Sequence, residues 1–137
     1  MLAPPPARML VALPLRPEAA RLARREIIAR SQSEDLSHTA QLLVTELVAN
    51  CIRHAAMDPR DGQIVLYGRL TADHVRIEVA DTGPGFDPDD GESRPGLGMR
   101  LLDKLATSWG TAQSERGFRV WFEIDRRSQR FRRSERH

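Results

Sequence analysis

The longest pattern of apolar positions in the chain predicts a helix over residues 36–56. At 100° per residue these positions fall on one arc, which must be buried. Glu46, Asn50 and Arg53 fall on a separate narrow stripe at i, i+4 and i+7. Taken alone, such a polar stripe indicates only a solvated helix face. The members of the apolar arc are Leu36, Ala40, Leu43, Val44, Leu47, Val48, Cys51 and Ala55.

Alternating apolar and polar positions predict the strands, and longer spacings predict two further helices. Residues 71–73 form a short polar link between two alternating segments, which indicates a hairpin. The predicted order is βααββ-loop-αββ. This order predicts an α+β fold: a two-layer sandwich of a mixed, mostly antiparallel sheet with the helices on one face. The predicted strands are 9–15, 63–70, 74–80, 108–113 and 118–124, and the other helices are 17–30 and 97–107.

Candidate chemistry begins where the strand 74–80 ends, at Asp81. Gly83 and Gly85 follow, and their lack of Cβ lets the backbone turn tightly and approach a flat ligand. A carboxylate fixed beside glycines suits recognition of a base amino group. Gly96 and Gly98 open the helix at 97–107, where free N–H groups favour phosphate. Together these features indicate an ATP pocket.

Length and composition limit the possible domain number, membrane topology and disulfide content of the protein. The 137 residues are enough for one domain, which we place at residues 9–125, after a disordered N-terminus at residues 1–8. No apolar run approaches the ~20 residues that span a bilayer. The single cysteine excludes an internal disulfide and agrees with a cytoplasmic location.

The basic character of the chain lies in its last residues. Six Arg and one Glu give residues 126–137 a net charge of +5, and the whole chain carries +2, so residues 1–125 carry −3. Phe131 is the only aromatic residue there, which is too few for a base-stacking platform. We therefore expect a flexible Arg-rich tail and no direct nucleic-acid role.

Three short segments resemble the motifs of the GHKL ATPase superfamily, which includes gyrase, histidine kinases, and mismatch-repair and chaperone ATPases. Residues 46–55 (ELVANCIRHA) resemble its first box, residues 81–85 (DTGPG) its second, and residues 96–98 (GLG) its third. Within the superfamily the chain is most similar to the small bacterial anti-sigma-factor serine/threonine kinases. The resemblance covers roughly residues 9–125 and implies the Bergerat-type ATP-binding fold.

The resemblance also implies roles for individual residues. Asn50 matches the asparagine that coordinates Mg²⁺, and Glu46 matches the catalytic glutamate, which accepts the proton of the attacking hydroxyl. Asp81 matches the aspartate that accepts the adenine amino hydrogen. Arg53 is a candidate phosphate contact. The glycine-rich positions match the pocket floor and the ATP-lid hinge: Gly83, Gly85, Gly96, Leu97 and Gly98.

The resemblance leaves two functions open. The first is an ATP- and Mg²⁺-dependent kinase that phosphorylates an anti-anti-sigma (STAS-type) partner, binds a sigma factor and regulates transcription, with a homodimer as the assembly the family suggests. The second is a non-catalytic module that sequesters a partner according to nucleotide state. Retention of Glu46 favours the first. Phe118, where relatives often carry Lys or Thr after the glycine, favours the second.

Overall fold

The computed structural model describes residues 4–57, 62–81, 97–114 and 117–126; the side chains of 54–57, 97–99, 113, 114 and 117 are outside that description. The order of elements within these residues is the predicted βααββαββ. Boundaries differ from the predicted ones by at most two residues. The strands are β1 (Ala7–Pro14), β2 (Gln63–Leu70), β3 (His74–Asp81), β4 (Ser108–Ser114) and β5 (Gly117–Asp125), and the helices are α1 (Ala19–Arg30), α2 (Glu34–Met57) and α3 (Leu97–Leu105).

The five strands form one sheet in the order β1-β2-β3-β5-β4. Every pairing in the described part of the sheet is antiparallel. The predicted α+β sandwich is confirmed, and the sheet that was expected to be mixed contains antiparallel pairs throughout this region. Strand β5 lies between β3 and β4, so the chain first forms the edge strand β4 and then inserts β5 beside the central strand β3.

The predicted hairpin between β2 and β3 is confirmed, and Thr71 closes it. The backbone N–H of Thr71 donates to the carbonyl of His74 at 2.8 Å. The Thr71 hydroxyl accepts hydrogen bonds from the N–H groups of Asp73 and His74. A hydroxyl that holds two turn amides fixes the register of the strands on either side. Ile64 therefore lies opposite Asp81.

Alternation along the strands sends one set of side chains into the core and the other outward. On the inner face, the β3 residues Val75, Ile77 and Val79 are buried, as are their β5 partners Ile124, Phe122 and Val120. Helix α2 packs against β3 and β5, and α1 packs against β1 and α2. The helices therefore cover this face of the sheet, as predicted.

The long helix buries the arc that the sequence predicts. Leu36, Ala40, Leu43 and Val48 are each at most 1% exposed. Cys51 is half-buried and packs against the same core, and the side chain of Ala55 lies outside the described residues. None of the described helices is long and apolar enough to cross a membrane.

The N-terminal end of α2 is tied to the beginning of β3 through the residue that follows β5. The backbone N–H of Arg126 donates to the carbonyl of Asp73 at 3.0 Å. Its guanidinium also donates to the hydroxyl of Ser33, just before α2. Helix α2 also packs directly against β3.

Candidate nucleotide-binding site

Asp81 is the last residue of β3, and its side chain is only 5% exposed. It lies between Ile64 of β2 and Phe118 of β5 in the register of the sheet. Among the described residues that are buried it is the only one that carries a formal charge; the other polar ones are Ser33 and Ser37. A buried carboxylate costs free energy unless hydrogen bonds compensate it. Its chemistry fits an acceptor for a ligand amino group at the end of the strand.

Glu46, Asn50 and Arg53 lie on α2 in the arrangement predicted from their spacing. Glu46 and Asn50 are half-buried, and Arg53 is exposed. Leu47 and Val48, which follow Glu46, are buried in the core. The stripe therefore runs along the border between the core-facing arc and solvent. In this position the side-chain oxygen atoms of Glu46 and Asn50 can contact a ligand at the surface.

The lengths of α2 and β3 are compatible with a site that this stripe and Asp81 share. Ser33, just before α2, and Asp73, just before β3, are joined by Arg126. At 1.5 Å per helical residue, Asn50 lies about 25 Å beyond Ser33. At roughly 3.3 Å per strand residue, Asp81 lies about 25 Å beyond Asp73. A single site bordered by the polar stripe and the buried carboxylate remains a prediction.

The side chains of Asn50 and Arg53 contact each other directly. The Arg53 guanidinium donates a hydrogen bond to the amide oxygen of Asn50, three residues earlier on the helix. Three-residue spacing places two side chains on one helix face, so the pair is compatible with the helix geometry.

The oxygen atoms at this site fit the group that the sequence implies. A neutral amide oxygen at Asn50 and a carboxylate one turn earlier at Glu46 are hard donors, which Mg²⁺ prefers. Mg²⁺ commonly takes few protein ligands and completes its shell with phosphate and water. Asn50 would therefore hold the metal, and the ion when bound would neutralise charge on the triphosphate.

Comparison with known proteins identifies the family. The model of the histidine kinase-like ATPase domain matches residues 10–124 of the chain. The chain belongs to this family. The predicted superfamily is thereby confirmed, and the five-stranded sheet with its helices is consistent with it.

Two curated relatives are both named serine-protein kinase RsbW. One is from Listeria innocua and the other from Listeria monocytogenes. Each is 26% identical over 84 residues, which cover 58% of this chain and 54% of the relative. The chain thus spans about half the length of the curated relatives that it matches.

The glycine positions of this histidine kinase-like ATPase domain are only partly within the described residues. Gly83, Gly85 and Gly96 lie outside them. The backbone of Leu97 and Gly98 forms the start of α3, so the helix begins where the third box predicts. Helix α3 packs against α2 and β4. The contacts of Gly96, Leu97 and Gly98 with phosphate remain predictions.

The histidines of α2 and the two tryptophans have distinct positions. His38 is exposed, and the side chain of His54 lies outside the described residues. Trp109 packs partly against the core, and its indole N–H also donates to the carboxylate of Asp103 on α3 at 2.7 Å. Trp121 lies on the outer face of the sheet beneath Arg76, whose guanidinium carbon is 5.0 Å from the ring centroid.

Two side-chain links at α2 were not predicted from the sequence. Arg126 was assigned to the flexible tail, yet it contacts Ser33 and Asp73. Ser33 caps the start of α2 by accepting a hydrogen bond from the N–H of Leu36, and a serine followed by a helical pattern is a sequence signal for such an N-cap. The Arg53–Asn50 pair was also visible as a three-residue spacing, although spacing alone does not indicate which atoms meet.

Proposed function

We propose that this histidine kinase-like ATPase domain is an ATP-dependent protein serine/threonine kinase of the anti-sigma-factor type. Its substrate would be a serine or threonine hydroxyl of an anti-anti-sigma (STAS-type) protein, and through this partner and a sigma factor it would regulate transcription. The observation that carries the proposal is the occurrence in one domain of half-buried Glu46 and Asn50, one turn apart on α2, and of a buried carboxylate, Asp81, at the end of β3. The likeness to two relatives that are named serine-protein kinases supports it.

The proposed reaction assigns one role to each side chain. Asp81 accepts a hydrogen bond from the adenine amino group. Asn50 holds Mg²⁺, and Arg53 together with the backbone at the start of α3 neutralises phosphate charge. A phosphoryl transfer of this kind depends mainly on positioning and charge neutralisation.

Glu46 supplies the acid–base chemistry of the proposed step. The substrate hydroxyl oxygen forms a bond to the γ-phosphorus while the bond from that phosphorus to the β–γ bridging oxygen breaks, which releases ADP. The hydroxyl proton moves to the Glu46 carboxylate. A positioned general base typically accelerates a reaction by ~10²–10⁴. The half-buried position of Glu46 beside Leu47 favours a fixed orientation of its side chain.

A second candidate is a binding module that takes up ATP and changes its affinity for a partner without phosphorylating it. Phe118 favours this alternative, because it places an apolar, half-buried side chain directly opposite Asp81 in the sheet. A polar side chain from β5 is thereby absent at that register position. The kinase proposal remains preferred because Glu46 is retained at the border of the same site.

Phosphoryl transfer from γ-labelled Mg-ATP distinguishes the two candidates. The acceptors are the proteins of a lysate of the source cells, and the enzyme is compared with Glu46→Gln. Glu34→Gln is the matched control, because Glu34 is an exposed residue in the first turn of the same helix. We expect label on a serine or threonine of a small protein, unchanged in Glu34→Gln and reduced at least ~10²-fold in Glu46→Gln.

Two other results would argue against the kinase proposal. ATP binding without transfer, with binding lost in Asp81→Asn, would support the binding module. Failure to bind ATP would contradict both candidates. On the same family likeness we further propose a cytoplasmic location and a homodimer. Light scattering of the purified chain would test the homodimer.

A further inference from the structure

The hydrogen bond between Arg53 and Asn50 involves one particular atom. A guanidinium group only donates hydrogen bonds, so its partner on Asn50 must be the amide oxygen Oδ1. The amide nitrogen of asparagine is a donor and has no free electron pair for a metal. Oδ1 is therefore the only atom of this side chain that could coordinate Mg²⁺, and it is the atom that Arg53 contacts.

A guanidinium and Mg²⁺ repel each other strongly when they share one oxygen. Mg²⁺ binds its ligands at about 2.0–2.1 Å. A guanidinium nitrogen at a normal hydrogen-bond distance of about 2.9 Å from the same oxygen would then lie within about 5 Å of the ion. Even at the dielectric constant of water, a unit charge about 5 Å from a divalent ion weakens ion binding about tenfold.

We propose that the Arg53 guanidinium keeps Mg²⁺ from the metal-ligand oxygen of Asn50 in the nucleotide-free protein. Mg²⁺ then binds this oxygen only together with a nucleotide. This inference rests on the proposed ATP site and adds an order of loading to it. The negative charge of a triphosphate attracts the Arg53 side chain away from Oδ1 and offsets its repulsion of the ion. Arg53 is a positioning residue in this scheme, and Mg²⁺ without nucleotide is disfavoured at Asn50.

An ordinary surface pair would have no such consequence. Side chains three residues apart on an exposed helix often contact one another, and each such contact stabilises the helix only weakly. The difference is testable, because a surface pair would leave the Mg²⁺ affinity of Asn50 unaffected when Arg53 is replaced.

The side-chain amide of Asn50 provides a site-specific reporter. In a ¹⁵N-labelled sample its NMR signal is identified by its loss in Asn50→Ala. The full chain is titrated with magnesium chloride alone, and then with the β,γ-imido analogue of ATP plus magnesium chloride. The variant is Arg53→Met, which removes both the charge and the donors from an exposed position while keeping a long side chain.

Arg25→Met is the matched control, since Arg25 is an exposed arginine of α1 and the change in net charge is the same. We expect magnesium alone to shift the Asn50 signal in Arg53→Met with an apparent affinity at least about tenfold tighter than in wild type or Arg25→Met. In the wild type, magnesium together with the analogue shifts the signal readily.

Two results would overturn the inference while leaving the ATP site intact: equal responses to magnesium in wild type and Arg53→Met, or no response to magnesium alone in either protein. Both apply when the analogue still perturbs the Asn50 and Asp81 signals. Absence of any response to the analogue at both residues would contradict the proposed ATP site itself, and the loading order with it.

Discussion

The guanidinium of Arg126 and the hydroxyl of Ser33 are in contact, although 93 residues separate them in the chain. Ser33 also accepts a hydrogen bond from the N–H of Leu36 at 3.3 Å and so caps the start of α2. Arg126 thus joins the end of the sheet to the cap of the helix that carries Glu46 and Asn50. The arginine-rich segment therefore begins with a residue that belongs to the folded domain.

Two truncations that differ by one residue test this contact. A chain that ends at Arg126 should be as stable as the full chain, whereas one that ends at Asp125 should lose about 1–3 kcal/mol of unfolding free energy. Arg126 makes two hydrogen bonds, from its guanidinium to Ser33 and from its backbone N–H to Asp73, and each contributes about 0.5–1.5 kcal/mol. Urea unfolding followed by circular dichroism measures the difference. Equal stability of the two truncations would show that the contact contributes nothing.

The cap itself is tested by Ser33→Ala. Loss of a serine N-cap typically costs about 0.5–2 kcal/mol, and the 8% exposure of Ser33 leaves little room for water to replace it. Thr39→Ala serves as a comparison on α2, because the Thr39 hydroxyl only donates to the carbonyl of Asp35 within the helix at 3.3 Å. The Ser33 variant should unfold at clearly lower urea concentration than the Thr39 variant.

Local patterns in the sequence were sufficient for most elements of this fold. The bounds of β2 were predicted correctly, and β3 extends one residue beyond its prediction to include Asp81. Burial alternates along β2 and along β3 as far as Val79, and the turn between the two strands is only three residues long. The buried arc of α2 was also predictable, because a single helix against a sheet needs one continuous apolar face.

Long-range pairing and side-chain contacts were beyond such patterns. The insertion of β5 between β3 and β4 joins residues about forty positions apart, such as Asp81 and Phe118. Arg126 resembles the other arginines of its segment in sequence, and only the position of Asp73 and Ser33 distinguishes it. The face on which Trp121 lies could not be decided from the sequence, since a large aromatic residue in an alternating strand is equally compatible with either face.

Packing on the outer face of the sheet explains why residue 110 is a glycine. Gly110 lies directly opposite Trp121 in the β4–β5 pair. A Cβ added at Gly110 would lie 2.8–2.9 Å from three atoms of the indole ring. We expect Gly110→Ala to destabilise the fold by about 1–3 kcal/mol, as overpacking does, in spite of the better strand propensity of alanine.

A double variant identifies the cause of that loss. In a Trp121→Leu background the ring is absent, so Gly110→Ala should cost much less, or stabilise the strand slightly. Thermal unfolding of the four proteins in the cycle gives the coupling. Equal costs of Gly110→Ala in the two backgrounds would attribute the effect to the backbone and not to Trp121.

Arg30 covers part of the free edge of the sheet. Its Nε donates to the carbonyl of Arg8 in β1 at 3.0 Å, and its guanidinium pairs with Glu26 of the same helix. Arg30→Leu should cost about 0.5–1.5 kcal/mol and accelerate hydrogen exchange of the β1 amides, because an uncovered edge is less protected. Arg25→Leu, an exposed position on the same helix, should leave both measurements unchanged.

Asp81 provides the sharpest test of base recognition, because its role depends on being a hydrogen-bond acceptor. Asp81→Asn keeps the shape of the buried side chain and replaces one acceptor oxygen by a donor NH₂ group. A hydrogen bond to a charged group contributes about 1.5–3 kcal/mol, so ATP affinity should fall by about 10- to 150-fold. GTP, whose carbonyl replaces the adenine amino group, should gain relative to ATP. Calorimetric titration with both nucleotides measures this change in selectivity, and unfolding measurements verify that the variant is folded.

Asp73→Asn, an exposed position just before the opposite end of β3, is the control and should bind both nucleotides like wild type. An unchanged ratio of ATP to GTP affinity in Asp81→Asn would contradict the assignment of Asp81 to the adenine amino group.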